Sequence, residues 1–200
     1  MAVGDRRTSR GWETRRNEIV DTAARLFAAQ GYHATGVAEL GDTVGLGRGA
    51  LYYYIDSKEN LLSLIHDRVI VEVIAAGEKA LALEGSASDR LRFLGHQLVS
   101  IIAEFPDHVW VFLHEFRSLH DEAAEEFRKN RRTFERAIER ILVEGVDAGE
   151  FVIANTRLAA LGWLGLHNYM YIWHHTGGPF SVDLIADNFA DIYLHGVQKR

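Results

Sequence analysis

Hydrophobic positions along the chain recur at three- and four-residue spacing, and the strict alternation of a half-buried strand is scarce. The pattern predicts an all-α protein. The first helix is expected over 14–30, with Ile19, Ala23, Leu26 and Phe27 on one stripe and Gly31 as its stop. A short helix follows over 37–44, with Thr35 placed to cap it. Gly45 and Gly47 bracket Leu46 in a tight turn, and a second short helix covers 48–55. Asp56 or Ser57 can cap a long fourth helix over 58–83. Glu84-Gly85-Ser86-Ala87-Ser88 reads as a linker. Beyond it, helices are expected over 89–104, 107–119, 123–144, 155–174 and 182–197. Phe127, Phe134, Ile138, Ile141 and Leu142 lie on one side of the third of these, and Thr176-Gly177-Gly178-Pro179 separates the last two. The expected organisation is a flexible basic arm over 1–13, a three-helix domain over 14–60 and an all-helical domain over 61–200.

Composition adds a boundary to this picture. The 200 residues are 48% hydrophobic, enough to bury a sizeable core. No apolar run approaches the roughly 18 residues that crossing a bilayer requires, so no membrane partner is expected. Arg6, Arg7 and Arg10 are not followed by the apolar stretch of a secretory signal. The absence of cysteine excludes disulfides and thiolate metal sites and is compatible with a reducing compartment, so a cytoplasmic location is expected.

The net charge of −6 argues at first against nucleic acid, but its distribution matters more than its sum. Residues 1–60 carry eight basic and eight acidic side chains, so the whole acidic excess lies behind them. Five arginines stand in the first 16 residues, at 6, 7, 10, 15 and 16, against Asp5 and Glu13. They can form an arm along DNA or into its minor groove; an uninvolved tail is the other reading.

Two short helices joined by a glycine-containing turn are the helix-turn-helix pattern. There the first helix crosses the phosphate backbone and the second presents side chains to base edges in the major groove. The second helix here opens at Arg48 after Gly47 and carries Gly49, Ala50, Leu51, Tyr52, Tyr53, Tyr54 and Ile55. Consecutive helical residues are about 100° apart, so the three tyrosines cannot all be core. A phenol can donate to a phosphate oxygen or pack on a thymine methyl, and Arg48 can bond guanine in bidentate fashion. Gly47 and Gly49 allow close backbone approach.

The stretch from Ile19 to Leu62 resembles the DNA-binding domain of the TetR family of repressors. The likeness rests on Phe27 with Gly31, on Thr35, on Gly45-Leu46, and on Leu51-Tyr52-Tyr53-Tyr54-Ile55-Asp56-Ser57-Lys58-Glu59-Asn60-Leu61. It covers about a quarter of the chain. The resemblance implies that Tyr52 and Lys58 hold phosphates, that Thr35 meets the DNA backbone from the preceding helix, and that Arg48, Tyr53 and Tyr54 read bases or backbone. Four positions depart from the family pattern: Leu40-Gly41 stands for Ile-Ala, Gly47 for Ser or Thr, and Ile55 for Phe.

The resemblance further implies a homodimer on a double-stranded DNA operator, with a small-molecule effector bound by the C-terminal domain. The last two helices usually form the dimer interface. Gly162 and Gly165 on the first of them permit close helix approach, and Ile185, Phe189, Ile192 and Tyr193 line the second at helical spacing. For the effector, Trp110, His114 and Arg117 share one helical face and Trp163, His167 and Tyr171 another. Apolar pockets with a few polar groups suit an aromatic or acyl ligand; simple core packing is the alternative for each of these residues. Trp173, Gly177, Gly178 and Pro179 resemble a subset of the family that governs sterol and fatty-acid breakdown and senses CoA thioesters. An acyl-CoA would want cations, for which Arg117, Arg131, Arg132 and Arg157 are candidates.

Other chemistry is thinly supported. No phosphate loop, Gly-x-Ser-x-Gly elbow or HExxH is present, so no catalytic residue and no cofactor is expected. Ten histidines raise a metal, through His114, Glu115, His120 and Asp121 or through His167, His174 and His175, yet neither set has diagnostic zinc spacing. The expected function is a transcriptional repressor released from a palindromic operator by a hydrophobic, aromatic or acyl-CoA ligand, with an activator, or a repressor that needs its ligand to bind DNA, as the other arrangements.

Overall fold

The structure, a computed structural model, describes residues 10–197. In chain order it contains α1 (Arg10–Gln30), α2 (Val37–Val44), α3 (Arg48–Ile55), α4 (Lys58–Ala82), α5 (Ala87–Glu104), α6 (Pro106–His114), α7 (Asp121–Asp147), α8 (Thr156–Asn168) and α9 (Val182–Val197). Short 3-10 turns cover Phe116–Ser118 and Tyr169–Ile172. The helices form two compact units. The first holds residues up to 69 together with 107–127, and the second holds 70–106 and residues from 128 onward.

In the first unit, the stripe read from the sequence turns inward. Ile19, Ala23 and Phe27 of α1 are buried with Leu40 of α2, Leu51 and Ile55 of α3, and Leu61, Leu62 and Ile65 of α4. Val111, Leu119 and Phe127 complete this core. Each buried aliphatic or aromatic side chain contributes roughly 1.5–3 kcal/mol by leaving water. That burial holds α2 and α3 in place, since helices of 8 residues are too short to persist alone.

Three local expectations need correction. First, α1 begins at Arg10, so 10–13 of the expected arm are helical; residues 1–9, with Arg6 and Arg7, lie outside the described residues. Second, Thr35 does not cap α2. The N-cap is Gly36, with no side-chain hydrogen bond. Thr35 is buried instead, donating its hydroxyl to Gly31 O (2.9 Å) and accepting from Gln30 Nε2 (3.2 Å). Third, the helices at 107–119 and 155–174 stop early, at His114 and Asn168. Each gives way to a 3-10 turn, and after the second both Trp173 N and His174 N close on Met170 O.

The second unit is built on α5. Leu91, Leu94, Leu98, Val99 and Ile102 are buried there, as are Phe134, Ile138, Ile141 and Leu142 of α7 and Ile185, Ala186, Ala190 and Leu194 of α9. The start of α5 is fixed twice over. Ser86 and Asp89 form a capping box, and the Glu150 carboxylate accepts from Ala87 N and Ser88 N. Inside this unit, Glu135 is buried and neutralised by Arg131 (3.0 Å) and Arg157. A carboxylate withdrawn from water requires such partners.

Candidate nucleic-acid interface

The turn between α2 and α3 is closed by two backbone bonds, Gly45 N to Asp42 O and Leu46 N to Gly41 O. Gly45 adopts the left-handed conformation (φ 68°), which a glycine reaches without steric cost. Leu46 N then reaches back to Gly41 O (2.8 Å). Gly41, where the family pattern has Ala, sits so tightly that a Cβ there would lie 2.7 Å from Leu46 O. The departure noted in the sequence thus has a local cause: this turn closes over a position with no room for a side chain.

With Leu51 and Ile55 fully buried, α3 turns its opposite face outward. Gly47, Arg48, Gly49, Ala50 and Tyr53 are exposed, and Tyr52 and Tyr54 are half-buried on either flank. The three tyrosines have separate roles. Tyr54 stacks on Trp12 at 5.8 Å, Tyr53 meets the Tyr54 ring edge-on at 5.3 Å, and the Arg48 guanidinium lies over the Tyr52 ring at 5.7 Å. Ala50, on this exposed face, was not singled out by sequence reasoning, because its type carries no chemical signal.

Neither α2 nor α3 has a side-chain cap; their N-cap residues are Gly36 and Gly47. Elsewhere Ser57, Ser86 and Asn155 accept from helix-start amides. The first amides of α2 and α3 are left to outside acceptors, and a phosphate oxygen satisfies such amides well.

Two expected phosphate ligands are occupied within the fold. Thr35 is buried, with its N–H and O–H both given to Gly31 O. Lys58 donates to Tyr32 O at 2.6 Å and stands 4.3 Å from the Tyr32 ring centre. Burial lowers the Lys58 pKa, with Glu59 and Glu115 acting against that shift. Burial and the same two carboxylates push the Tyr32 phenol up to about 12. Glu115, which accepts from Tyr32 N at 3.1 Å, completes this cluster. Among the described residues no three His, Asp or Glu side chains gather in a way that could hold a metal.

The residues named for an effector fall into two groups. In the first unit, Trp110 is half-buried and stacks on exposed His114 at 4.4 Å, while Arg117 is exposed over Phe116. In the second, Trp163 and His167 are core: their rings are 3.9 Å apart and both are buried. His167 Nδ1 donates to Trp163 O at 2.8 Å. Gly95 leaves room for them, since a Cβ there would lie 3.0 Å from His167 Nε2. Tyr171 is half-buried, with its phenol pKa raised by burial. The second unit also has an open cleft of about 670 Å³ between Ser100 and Glu104 of α5 and the loop from His174 to Val182. None of the six named residues lines it.

Of the residues named for a dimer interface, Gly162, Gly165 and Ile192 are exposed, the last at 64%. Ile185 is buried in the protomer's own core. Phe189 packs edge-on against His167, and Tyr193 donates to Ala159 O at 2.9 Å with its pKa raised to about 12 by burial. Leu158, Leu161 and Leu184, which carry no separate signal in the sequence, are exposed as well. On α8, Leu158, Leu161, Gly162 and Gly165 share one outward stripe at helical spacing, and exposed Tyr169 follows in the 3-10 turn.

Comparison with known proteins agrees with this geometry. Residues 19–65 match the model for bacterial regulatory proteins of the tetR family, and residues 84–197 match the tetracyclin repressor-like C-terminal domain. The chain belongs to the TetR family. It is a helix-turn-helix transcriptional regulator and not an enzyme. The HTH-type transcriptional repressor KstR2 of Rhodococcus jostii (strain RHA1) is 28% identical over 203 residues, spanning 94% of this chain and 93% of that one. The crystal structure of the TetR-family regulator PfmR from Thermus thermophilus superposes with a TM-score of 0.83 at 30% identity, over 90% of this chain and 99% of that one. AibR, in a crystal structure with isovaleryl coenzyme A and operator DNA, shares the TetR fold at a TM-score of 0.79 and 22% identity, over 89% and 97% of the two chains. No helix among the described residues is long and apolar enough to cross a membrane.

Proposed function

We propose that this TetR-family regulator is a cytoplasmic homodimeric repressor that reads a palindromic operator with α3 and is released by an acyl-CoA or similar acyl ligand. The observation that carries the DNA reading is the outward face of α3, where Arg48, Gly49, Ala50 and Tyr53 are exposed beside two helix starts without side-chain caps. In this reading residues 14–60 form the DNA-binding domain. Arg48 and Tyr53 meet base edges, Gly47 and Gly49 admit the backbone, and Tyr52 and Tyr54 flank them. Lys58 keeps two ammonium hydrogens for a phosphate, and Thr35 acts from within the fold by holding the approach to α2.

The dimer reading rests on the outward stripe of α8 with Leu184 and Ile192 of α9, an apolar face that a second copy would cover. The direction of regulation and the ligand class are supported by the relatives: KstR2 is a repressor, and AibR carries isovaleryl coenzyme A with operator DNA. Trp163 and His167 are closed into the core and do not add to that support. Effector binding would favour a dimer whose two α3 helices no longer match the operator spacing.

Selection of bound duplexes from a random pool, followed by titration of the winner at several salt concentrations, tests the reading. A palindromic winner whose affinity falls steeply with salt is expected. Isovaleryl-CoA is the first ligand to add, and loss of the complex is expected. Failure to enrich any sequence, with or without that ligand, would overturn the DNA reading.

A further inference from the structure

Every helix leaves its last carbonyls without partners inside the helix. In α3 three of these carbonyls have partners from beyond the helix. Tyr52 O accepts from Asp56 N, and Ile55 O accepts from Ser57 N and from Asn60 Nδ2. Tyr54 O accepts from Arg16 Nε at 3.3 Å. In α2, Gly41 O and Asp42 O are taken by Leu46 N and Gly45 N, and Val44 O accepts from Arg15 Nη2. Two adjacent arginines of α1 thus each cap the C-terminus of one helix of the helix-turn-helix. They reach 29 and 38 residues along the chain to do so.

Both side chains are half-buried and held in these positions. Arg15 is also paired with Glu18 at 2.7 Å. The Arg16 guanidinium lies 5.2 Å from the centre of the Trp12 ring, which itself stacks on Tyr54. A cation at a helix C-terminus opposes the negative end of the helix dipole, and a charged donor makes a stronger hydrogen bond than a neutral one.

We propose that Arg15 and Arg16 are positioning residues that fix α3 relative to α2, and so set how well the protein distinguishes its operator from other DNA. They act through the fold, not as ligands of phosphate. The α3 helix has 8 residues and is buried only through Leu51 and Ile55. Without the Tyr54 O bond its last turn keeps the Asp56, Ser57 and Asn60 contacts, the burial of Ile55 and the Trp12 stack but loses its charged tie to α1, and its outward face can tilt. Non-specific binding tolerates that tilt, because it draws on charge near the phosphates. Base readout does not, because paired hydrogen bonds to base edges need fixed geometry.

The consequence for DNA rests on the operator reading given above; the clamp itself does not. The test therefore has two arms, applied to the full chain and to Arg15→Met, Arg16→Met and Arg16→Lys. The methionine changes keep much of the apolar stem and remove the donor. In the first arm, amide hydrogen exchange of the free protein is expected to quicken in α3 for Arg16→Met and in α2 for Arg15→Met, with α5 and α9 unchanged and partial recovery in Arg16→Lys. Unchanged exchange in both helices overturns the clamp, and this holds even if no operator is ever found. Quickening in every helix, the mark of a variant that has failed to fold, overturns a local clamp as well.

In the second arm, affinities for the selected operator and for a scrambled duplex are compared across salt. Each methionine variant is expected to lose on the order of tenfold in the specific-to-scrambled ratio, with an unchanged dependence of log affinity on log salt. Equal losses on both duplexes, with a salt slope shallower by about one per arginine, would make these side chains phosphate ligands and overturn the proposal.

Discussion

At the scale of single residues, burial decides which side chains are available to act. His66 and His167 show this for protons. Both are buried, and burial lowers their pKa from 6.5 to about 3 and about 4. His66 sits against the Phe112 and Phe127 rings at 5.5 and 5.1 Å. Between those values and 6.5 the unfolded chain binds protons that the folded chain refuses, so stability rises with pH through that window. The contribution is complete above 6.5 and is lost as pH falls towards 4 and below. We expect the urea midpoint to drop between pH 7 and pH 5, and His66→Phe to show a smaller drop; an identical drop in the variant would remove His66 from this account. Arg48 is the exposed counterpart. Replacing it with Ala should relax base preference at one operator position and cost roughly 1–3 kcal/mol there, read by repeating the selection with the variant. Unchanged preference would take Arg48 out of the reading set.

At the scale of elements, contacts at helix starts and crossings fix where a helix begins and how closely it packs. Asp89 and Ser86 close the start of α5 together with Glu150. Glu150→Ala removes an acceptor of three donors, Ala87 N, Ser88 N and Ser88 Oγ, and should cost about 1–2 kcal/mol in chemical denaturation. Gly145, inside α7, gives the sharper case. Helix propensity alone predicts that Gly145→Ala stabilises by up to about 1 kcal/mol. A Cβ there, however, would lie 2.2 Å from Phe151 Cδ2 and 2.9 Å from Ala87 Cβ, so we expect a net loss of roughly 1–3 kcal/mol. A variant more stable than the parent would show that Phe151 moves aside freely.

At the scale of the whole molecule, association is the open face of the fold. Leu158 and Ile192 are exposed at 65% and 64%, and Leu161 and Leu184 are exposed on the same two helices. If a second copy covers this face, Leu161→Glu should yield monomers in sedimentation and weaken operator binding far more than binding to a half-site. The melting temperature of the parent should rise with protein concentration, as expected for a dimer, and that of the variant should not. A variant that remains dimeric would place the interface elsewhere.

What the sequence determined by itself was set by local physics. Periodicity marked the helices because one face of each must be apolar, and Gly31, Gly45 and Ser57 ended or began them as their backbone and side-chain chemistry dictates. The recognition pattern from Leu51 to Leu61 was legible for the same reason: spacing within one short segment is independent of the rest of the fold. Tertiary structure decided what depends on partners far along the chain. Thr35 has a cap residue's chemistry, yet a buried hydroxyl must be satisfied, and Gly31 O and Gln30 are what it meets. Lys58 is drawn to Tyr32 O, 26 residues away. Arg15 and Arg16 read as part of a basic arm, because charge is visible in sequence and an unpartnered carbonyl at the end of another helix is not. Trp163, His167 and Ile185 share the residue types of a pocket or an interface, and only the packing of α5, α8 and α9 shows that they are core.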